Sequence, residues 1–257
     1  MHWLAILAGL YVLLVLVLWL LQDRMIFPGA GHGDRPLEAP PTVRAFELLR
    51  PQGEPFRVVE CPGDEVRGVL AFFVGNGEDL RSAARWAAML AQHGLQVVVP
   101  EYPGYGLSAG RPSVAALYEV ADAAAAHAER LARLRGVPLL LGGSSMGTFC
   151  ATHAAAAHPP ARLLLVAAPT TMVAAAAARF WWLPVGLLLA QRFDNVANAA
   201  AVRCPVLLLH GDADAVVPLR LGRELAAVFG ARARLRVVPG CGHNDLPLDP
   251  GSTVGGE

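Results

Sequence analysis

Residues Gly143-Ser144-Ser145-Met146-Gly147 set a serine between two glycines in the spacing G-x-S-x-G. A serine hydroxyl attacks a carbonyl carbon well only when a base takes its proton, and a histidine base needs an acid to fix its tautomer. Two later stretches carry such groups. One is His210-Gly211-Asp212-Ala213-Asp214, and the other is Gly240-Cys241-Gly242-His243-Asn244-Asp245. Each follows an apolar run, and serine, acid, histidine is the chain order that goes with a G-x-S-x-G turn between a strand and a helix. Asp214 and His243 are therefore the expected partners of Ser145. Asp212 and Asp245 are competing carboxylates, and Asp212 lies close enough to the strand end to close a turn. The chemistry such a set performs is covalent acyl transfer.

The neighbouring residues must hold the serine in place. The apolar run 137–141 reads as a buried strand and the Ala-rich run 148–157 as a helix. Between them the chain must turn sharply, and glycines on both flanks remove Cβ atoms that would collide there. The helix points free N–H groups and partial positive charge at the reacting centre, so Met146 N–H is an expected oxyanion donor. The second donor should come from the loop after an earlier strand. Residues 69–74 form that strand, and Gly75-Asn76-Gly77 follows, making Asn76 N–H the expected partner. The loop 101–108, Glu101-Tyr102-Pro103-Gly104-Tyr105-Gly106-Leu107-Ser108, reads as a structural support for the site. His210, Asp212, Asp214 and His243 could also be read as metal ligands. They lack the i, i+4 helical spacing of zinc motifs, so no metal and no cofactor are expected.

Further out, strands near 46–50, 56–61, 69–74, 95–100, 137–141, 163–167, 206–210 and 235–238 alternate with helices near 80–93, 113–134, 148–157 and 219–229. Continuous apolar strands alternating with helices give an α/β fold, with a mostly parallel sheet covered on both faces. Ligands on such sheets bind at the carboxyl ends of the strands. Residues 169–204 interrupt the alternation. Their apolar run Phe180-Trp181-Trp182-Leu183-Pro184-Val185-Gly186-Leu187-Leu188-Leu189 suits either a small cap over the site or a core-packed helix.

The chain has 257 residues, enough for one full domain, and 21 basic residues balance 21 acidic ones. No charge block suggests nucleic acid or an electrostatic membrane patch. Four cysteines, Cys61, Cys150, Cys204 and Cys241, have no C-x-x-C spacing. Residues 3–21 carry no charge, and as a helix they reach about 28 Å, close to a bilayer core. Trp3 and Trp19 sit near the two ends, where interfacial aromatics are favoured. A cleaved signal peptide would start with Lys or Arg and end at a small-residue site, and neither is present. Residues 1–22 are thus expected to be a transmembrane anchor, 23–42 a linker, 43–245 the catalytic domain and 246–257 a flexible tail. Arg24 and Arg35 after the span, with no Lys or Arg before it, point by the positive-inside rule to a cytoplasmic domain.

These pieces together resemble the α/β-hydrolase superfamily. More narrowly, they resemble membrane-anchored serine hydrolases of the alpha/beta hydrolase domain-containing protein 13 type, related to the serine aminopeptidase and monoacylglycerol lipase-like branch. The matching residues run from Gln22-Asp23-Arg24-Met25-Ile26-Phe27-Pro28 through Gly75-Asn76, Tyr102 to Ser108, Gly143 to Gly147 and His210 to Asp214 to the loop at His243. The resemblance implies a triad of Ser145, Asp214 and His243. Two departures stand out. Val74 occupies the place of a histidine that usually precedes the Gly-Asn pair. After His243 the chain offers only a Pro- and Gly-rich tail where relatives continue into a final helix. The expected function is hydrolysis of an acyl or lipid-like ester by a membrane-anchored serine hydrolase. A thioesterase or an aminopeptidase-like amidase with the same triad is an alternative, and a catalytically silent membrane-tethered scaffold is another.

Overall fold

A computed structural model describes residues 2–31, 33 and 40–246. The chain begins with helix α1 (His2–Ile26). It continues through β1 (Arg44–Leu49), β2 (Pro55–Cys61), β3 (Gly68–Phe73), α2 (Leu80–Ala91), β4 (Leu95–Pro100), α3 (Val114–Arg135), β5 (Leu139–Ser144), α4 (Gly147–Ala157) and β6 (Arg162–Val166). Short helices α5 (Met172–Arg179), α6 (Val185–Leu188) and α7 (Asn195–Ala199) follow, then β7 (Val206–Gly211), α8 (Leu219–Phe229) and β8 (Ala233–Val238).

The eight strands form one sheet in the order β1-β2-β4-β3-β5-β6-β7-β8. The pairings β1–β2 and β2–β4 are antiparallel, and every later one is parallel. All six residues of β3 are buried, so helices must cover the sheet on both faces there. The cover is largely alanine. Ala121, Ala124, Ala125 and Ala128 of α3 and Ala151, Ala154 and Ala155 of α4 are buried, and their small side chains let the two helices lie close to the strands and to each other. This is the expected α/β-hydrolase architecture, a mostly parallel sheet wrapped by helices.

Local chemistry explains the element ends. Asp79, Ser113 and Thr171 cap α2, α3 and α5, each accepting from the backbone N–H three residues on. Gly136 takes a left-handed conformation to end α3, with φ of 66°.

Two of the boundaries that differ from the sequence expectation bear on the site. The strand before the serine runs Leu139–Ser144, not 137–141. Gly142 and Gly143 are therefore strand residues: a Cβ at Gly142 would press on Phe72 and Leu164, so its glycine serves close packing within the sheet. The other boundary lies in the stretch expected as a linker. Helix α1 continues to Ile26, and Ile26 and Phe27 are buried in the main core, where the Phe27 ring meets Phe193 edge-on at 6.4 Å. Ala30 then bridges to Tyr105. Apolar burial at Ile26 and Phe27 thus ties the start of that stretch to the domain. Residues 247–257, expected as most of a tail without a final helix, lie outside the described residues, as do 34–39.

Candidate active site

The turn after β5 puts Ser145 at φ 53°, a left-handed conformation that a residue with a side chain adopts at a cost. Its N–H donates to Val166 O at 2.8 Å, which holds the residue against the neighbouring strand end. The flanking glycines are required by contact. A Cβ on Gly143 would collide with the Gly147 carbonyl, and one on Gly147 with the Phe73 carbonyl. The serine therefore stands at the carboxyl end of the sheet with α4 beginning directly behind it.

His243 lies on the loop after β8, and Asp214 on the turn after β7. His243 Nε2 is 3.0 Å from Ser145 Oγ, and its Nδ1 is 2.8 Å from Asp214 Oδ2. The geometry suits one tautomer, with Nδ1–H donating to the carboxylate and the Nε2 lone pair facing the serine hydroxyl. The Asp214 side chain is fully buried. Burial pushes its pKa up. The bond from His243 and the N–H bonds of Val217 and Val216 to Oδ1, both 2.8 Å, outweigh that and hold the carboxyl below its ordinary value. Asp214 is thus ionised and oriented.

The competing groups have other work. Asp212 Oδ1 accepts from Gly240 N–H at 2.7 Å, bracing the histidine loop. Asp245 accepts from Gly242 N–H at 3.1 Å. His210 is buried, which lowers its pKa, and its neutral ring donates from Nε2 to Val217 O at 2.8 Å. It thereby shapes the turn that carries Asp214. Among the described residues, no group of three or more His, Cys, Asp or Glu could hold a metal ion.

Asn76 and Met146 both line the cavity in front of Ser145. Neither backbone N–H bonds another described residue, which leaves both available to an oxyanion. The loop carrying Asn76 is gripped by three side chains. Tyr102 Oη donates to Val74 O at 2.7 Å, and Tyr105 Oη to Asn76 O at 2.6 Å. Glu78 closes the loop from inside: one oxygen accepts from Gly75 N–H at 2.5 Å and the other from Trp86 Nε1–H at 2.6 Å. The two tyrosines bear on the loop expected as a support. Sequence reasoning missed Glu78. Its available signal was a carboxylate three residues after Gly75 and next to the cap residue Asp79. These bonds hold the loop that follows Val74.

The cavity measures about 1060 Å³ and is mostly apolar. Met172, Phe180, Leu183, Val185, Leu188 and Leu189 from the segment 169–204 line it. Of the apolar run 180–189 only Val185–Leu188 are helical, and Trp181 and Leu187 are 82% and 86% exposed, so the run is not a core-packed helix.

Fold and site define an α/β hydrolase. Residues 64–197, more than half of the chain, match the family described as serine aminopeptidase, S33, and the chain belongs to that family. It is 31% identical over 243 residues to the uncharacterized protein Rv2307c of Mycobacterium tuberculosis, covering 93% of this chain and 86% of that protein. It is also 31% identical over 185 residues to the alpha/beta hydrolase domain-containing protein aho-3 of Caenorhabditis elegans. That match covers 70% of this chain and 53% of the other, so the chain spans about half the length of that relative. Among solved structures it is similar to XC6422 from Xanthomonas campestris, described as an a/b serine hydrolase without lid. The TM-score is 0.58 and the identity 24%, over 81% of this chain and 88% of that one. Membership of this family makes the chain a hydrolase.

Proposed function

We propose that the protein is a membrane-anchored serine hydrolase that cleaves an acyl ester through Ser145, His243 and Asp214. The observation that carries the reading is the hydrogen-bonded line from Asp214 through His243 to Ser145, open to an apolar cavity. In the first half-reaction, Ser145 Oγ bonds to the carbonyl carbon while its proton passes to His243 Nε2. The oxyanion is received by the N–H groups of Asn76 and Met146. Collapse breaks the carbon–oxygen bond of the leaving alcohol, which takes the proton from Nε2. Water then attacks the acyl-enzyme, again giving a proton to His243, and the carboxylic acid leaves as Ser145 recovers its own.

The lining favours an ester over a peptide with a free amino terminus. A protonated amine needs an unengaged carboxylate nearby. Glu78 is the one acidic side chain among the described residues lining the cavity, and both its oxygens are already bonded. Helix α1 supports an anchor reading by its length of 25 residues, its composition and its exposure. The proposed division of the chain is accordingly an anchor in α1, a hydrolase domain to about residue 245, and a cap at 169–204.

Turnover of p-nitrophenyl butyrate and of a matched aminoacyl anilide tests the reading. The ester is expected to turn over, with kcat lost in Ser145→Ala and reduced roughly ten-thousandfold in Asp214→Asn. Ester turnover that survives Ser145→Ala, or a preference for the anilide, contradicts it.

A further inference from the structure

Helix α1 does more than precede the domain. Of residues 2–25, Val15, Leu18 and Gln22 are the ones partly buried. With Tyr11 and Met25 they follow spacings of four, three, four and three, which is one stripe of a helix. That stripe meets the cap. Tyr11 Oη donates to Trp182 O at 3.1 Å, Gln22 Oε1 accepts from Ala190 N–H at 2.8 Å, and Gln191 Nε2 donates to Asp23 Oδ1 at 3.2 Å. Asn76 Nδ2, on the oxyanion loop, donates to Ile26 O at 2.9 Å. Leu18, Trp19, Gln22, Met25 and Ile26 line the same cavity as Ser145 and His243.

Depth follows from the Tyr11 contact. Tyr11 lies ten residues before Leu21, about 15 Å along the helix axis. The cap tip at 180–189 therefore runs beside the apolar body of α1. The tip carries no charged residue, and Trp181 and Leu187 project from it almost fully exposed. In water such a surface is a liability, whereas in hydrocarbon it is at home.

We infer that the last two turns of α1 form one wall of the acyl-binding site, and that the substrate is a bilayer lipid. Its acyl chain passes from hydrocarbon to Ser145 between α1 and the cap tip without crossing water. The inference rests on reading α1 as an anchor and Ser145 as the nucleophile. Two apolar walls at membrane depth, continuous with the cavity at the serine, select an acyl chain over a soluble ester.

The test compares kcat/KM for palmitoyl and butyryl p-nitrophenyl esters, using the full chain in phosphatidylcholine vesicles. Leu18→Trp and Met25→Trp, which narrow the wall, are expected to lower the palmitoyl-to-butyryl ratio roughly tenfold or more. Leu20→Trp, on an exposed face of α1, is the control and should leave the ratio at the wild-type value. The double variant Trp181→Asp, Leu187→Asp should lower palmitoyl turnover in vesicles more than in detergent micelles. Ratios for Leu18→Trp and Met25→Trp that match Leu20→Trp overturn the wall. Equal losses in vesicles and micelles overturn the bilayer route. Wild-type protein that hydrolyses neither ester refutes the esterase reading, and this inference with it.

Discussion

The Glu78 carboxylate holds the loop that carries Asn76, the proposed oxyanion loop, from beneath, with one oxygen on Gly75 N–H and the other on Trp86 Nε1–H. Removing it leaves two donors unpaired beside the reacting centre, a cost of about 1–3 kcal/mol. Glu78→Ala should therefore lower kcat for a p-nitrophenyl ester by roughly tenfold or more, with KM changed less, because the loop meets charge chiefly in the transition state. An unchanged kcat would show that the loop holds its shape without Glu78. Asp212 offers a second contrast. Asp212→Ala removes the brace on Gly240 N–H and should cost far less activity than Asp214→Asn, and steady-state rates of the pair would check this ordering. Ser145, Asp214 and His243 were legible as a set because chain order and strand ends constrain them. Glu78 was not, because its role depends on a loop that folds back over three residues and on a tryptophan eight residues further along. Choosing Asp214 over Asp212 was legible only as a preference. What separates them in space is the pair of N–H groups at Val216 and Val217, which fix one carboxylate toward the histidine.

At the scale of elements, the β5–α4 turn depends on the absence of side chains at Gly143 and Gly147. Gly147→Ala would drive a methyl group into the Phe73 carbonyl, and backbone on both sides leaves it nowhere to move. The expected cost exceeds about 3 kcal/mol, enough to lower Tm on the order of 10 °C. A melt followed by circular dichroism reads it, and a wild-type Tm would mean that the turn relaxes freely. The glycine spacing announces this turn, yet the strand ends three residues later than the apolar run 137–141 implies. Gly142 and Gly143 look like turn residues in a one-dimensional reading, and only the packing of Phe72 and Leu164 shows why a strand needs glycine there. The junction after α1 differs from the expectation for a related reason. Pro, Gly and Ala after residue 27 signal a linker, while the burial of Ile26 and Phe27 depends on a distant partner, Phe193. Phe27→Ala should cost about 3–5 kcal/mol as a buried aromatic truncation, which the same melts would show.

Across the whole molecule, charge sets the acid limit of stability. Asp214 titrates below its ordinary value despite burial. Glu60 does so too, chiefly through its hydrogen bond with His127, 3.2 Å away. A carboxyl lowered in the fold releases its proton more readily there than in the unfolded chain. Its contribution is therefore complete above the ordinary carboxylate range, roughly pH 4, and is lost as pH falls through the lower folded value. Glu101 works in the opposite sense: burial raises it, so protonation in acid relieves a cost to the fold. Thermal melts should show Tm falling below about pH 4, with a shallower fall in Glu60→Gln. An identical slope in that variant would remove Glu60 from the account. The α/β-hydrolase class was legible at this scale because strand–helix alternation and an almost unbroken apolar β3 leave few other architectures. The joining of α1, cap and cavity was not legible, since it arises from contacts between residues some 170 positions apart, such as Tyr11 with Trp182. The proposed function turns on Ser145 being a nucleophile activated by His243. Intact-protein mass after exposure to a fluorophosphonate, with the adduct mapped by peptide sequencing, tests it most directly. One adduct is expected, located on Ser145 and absent from Ser145→Ala. No adduct on the folded wild-type protein, or one that persists in Ser145→Ala, would contradict it.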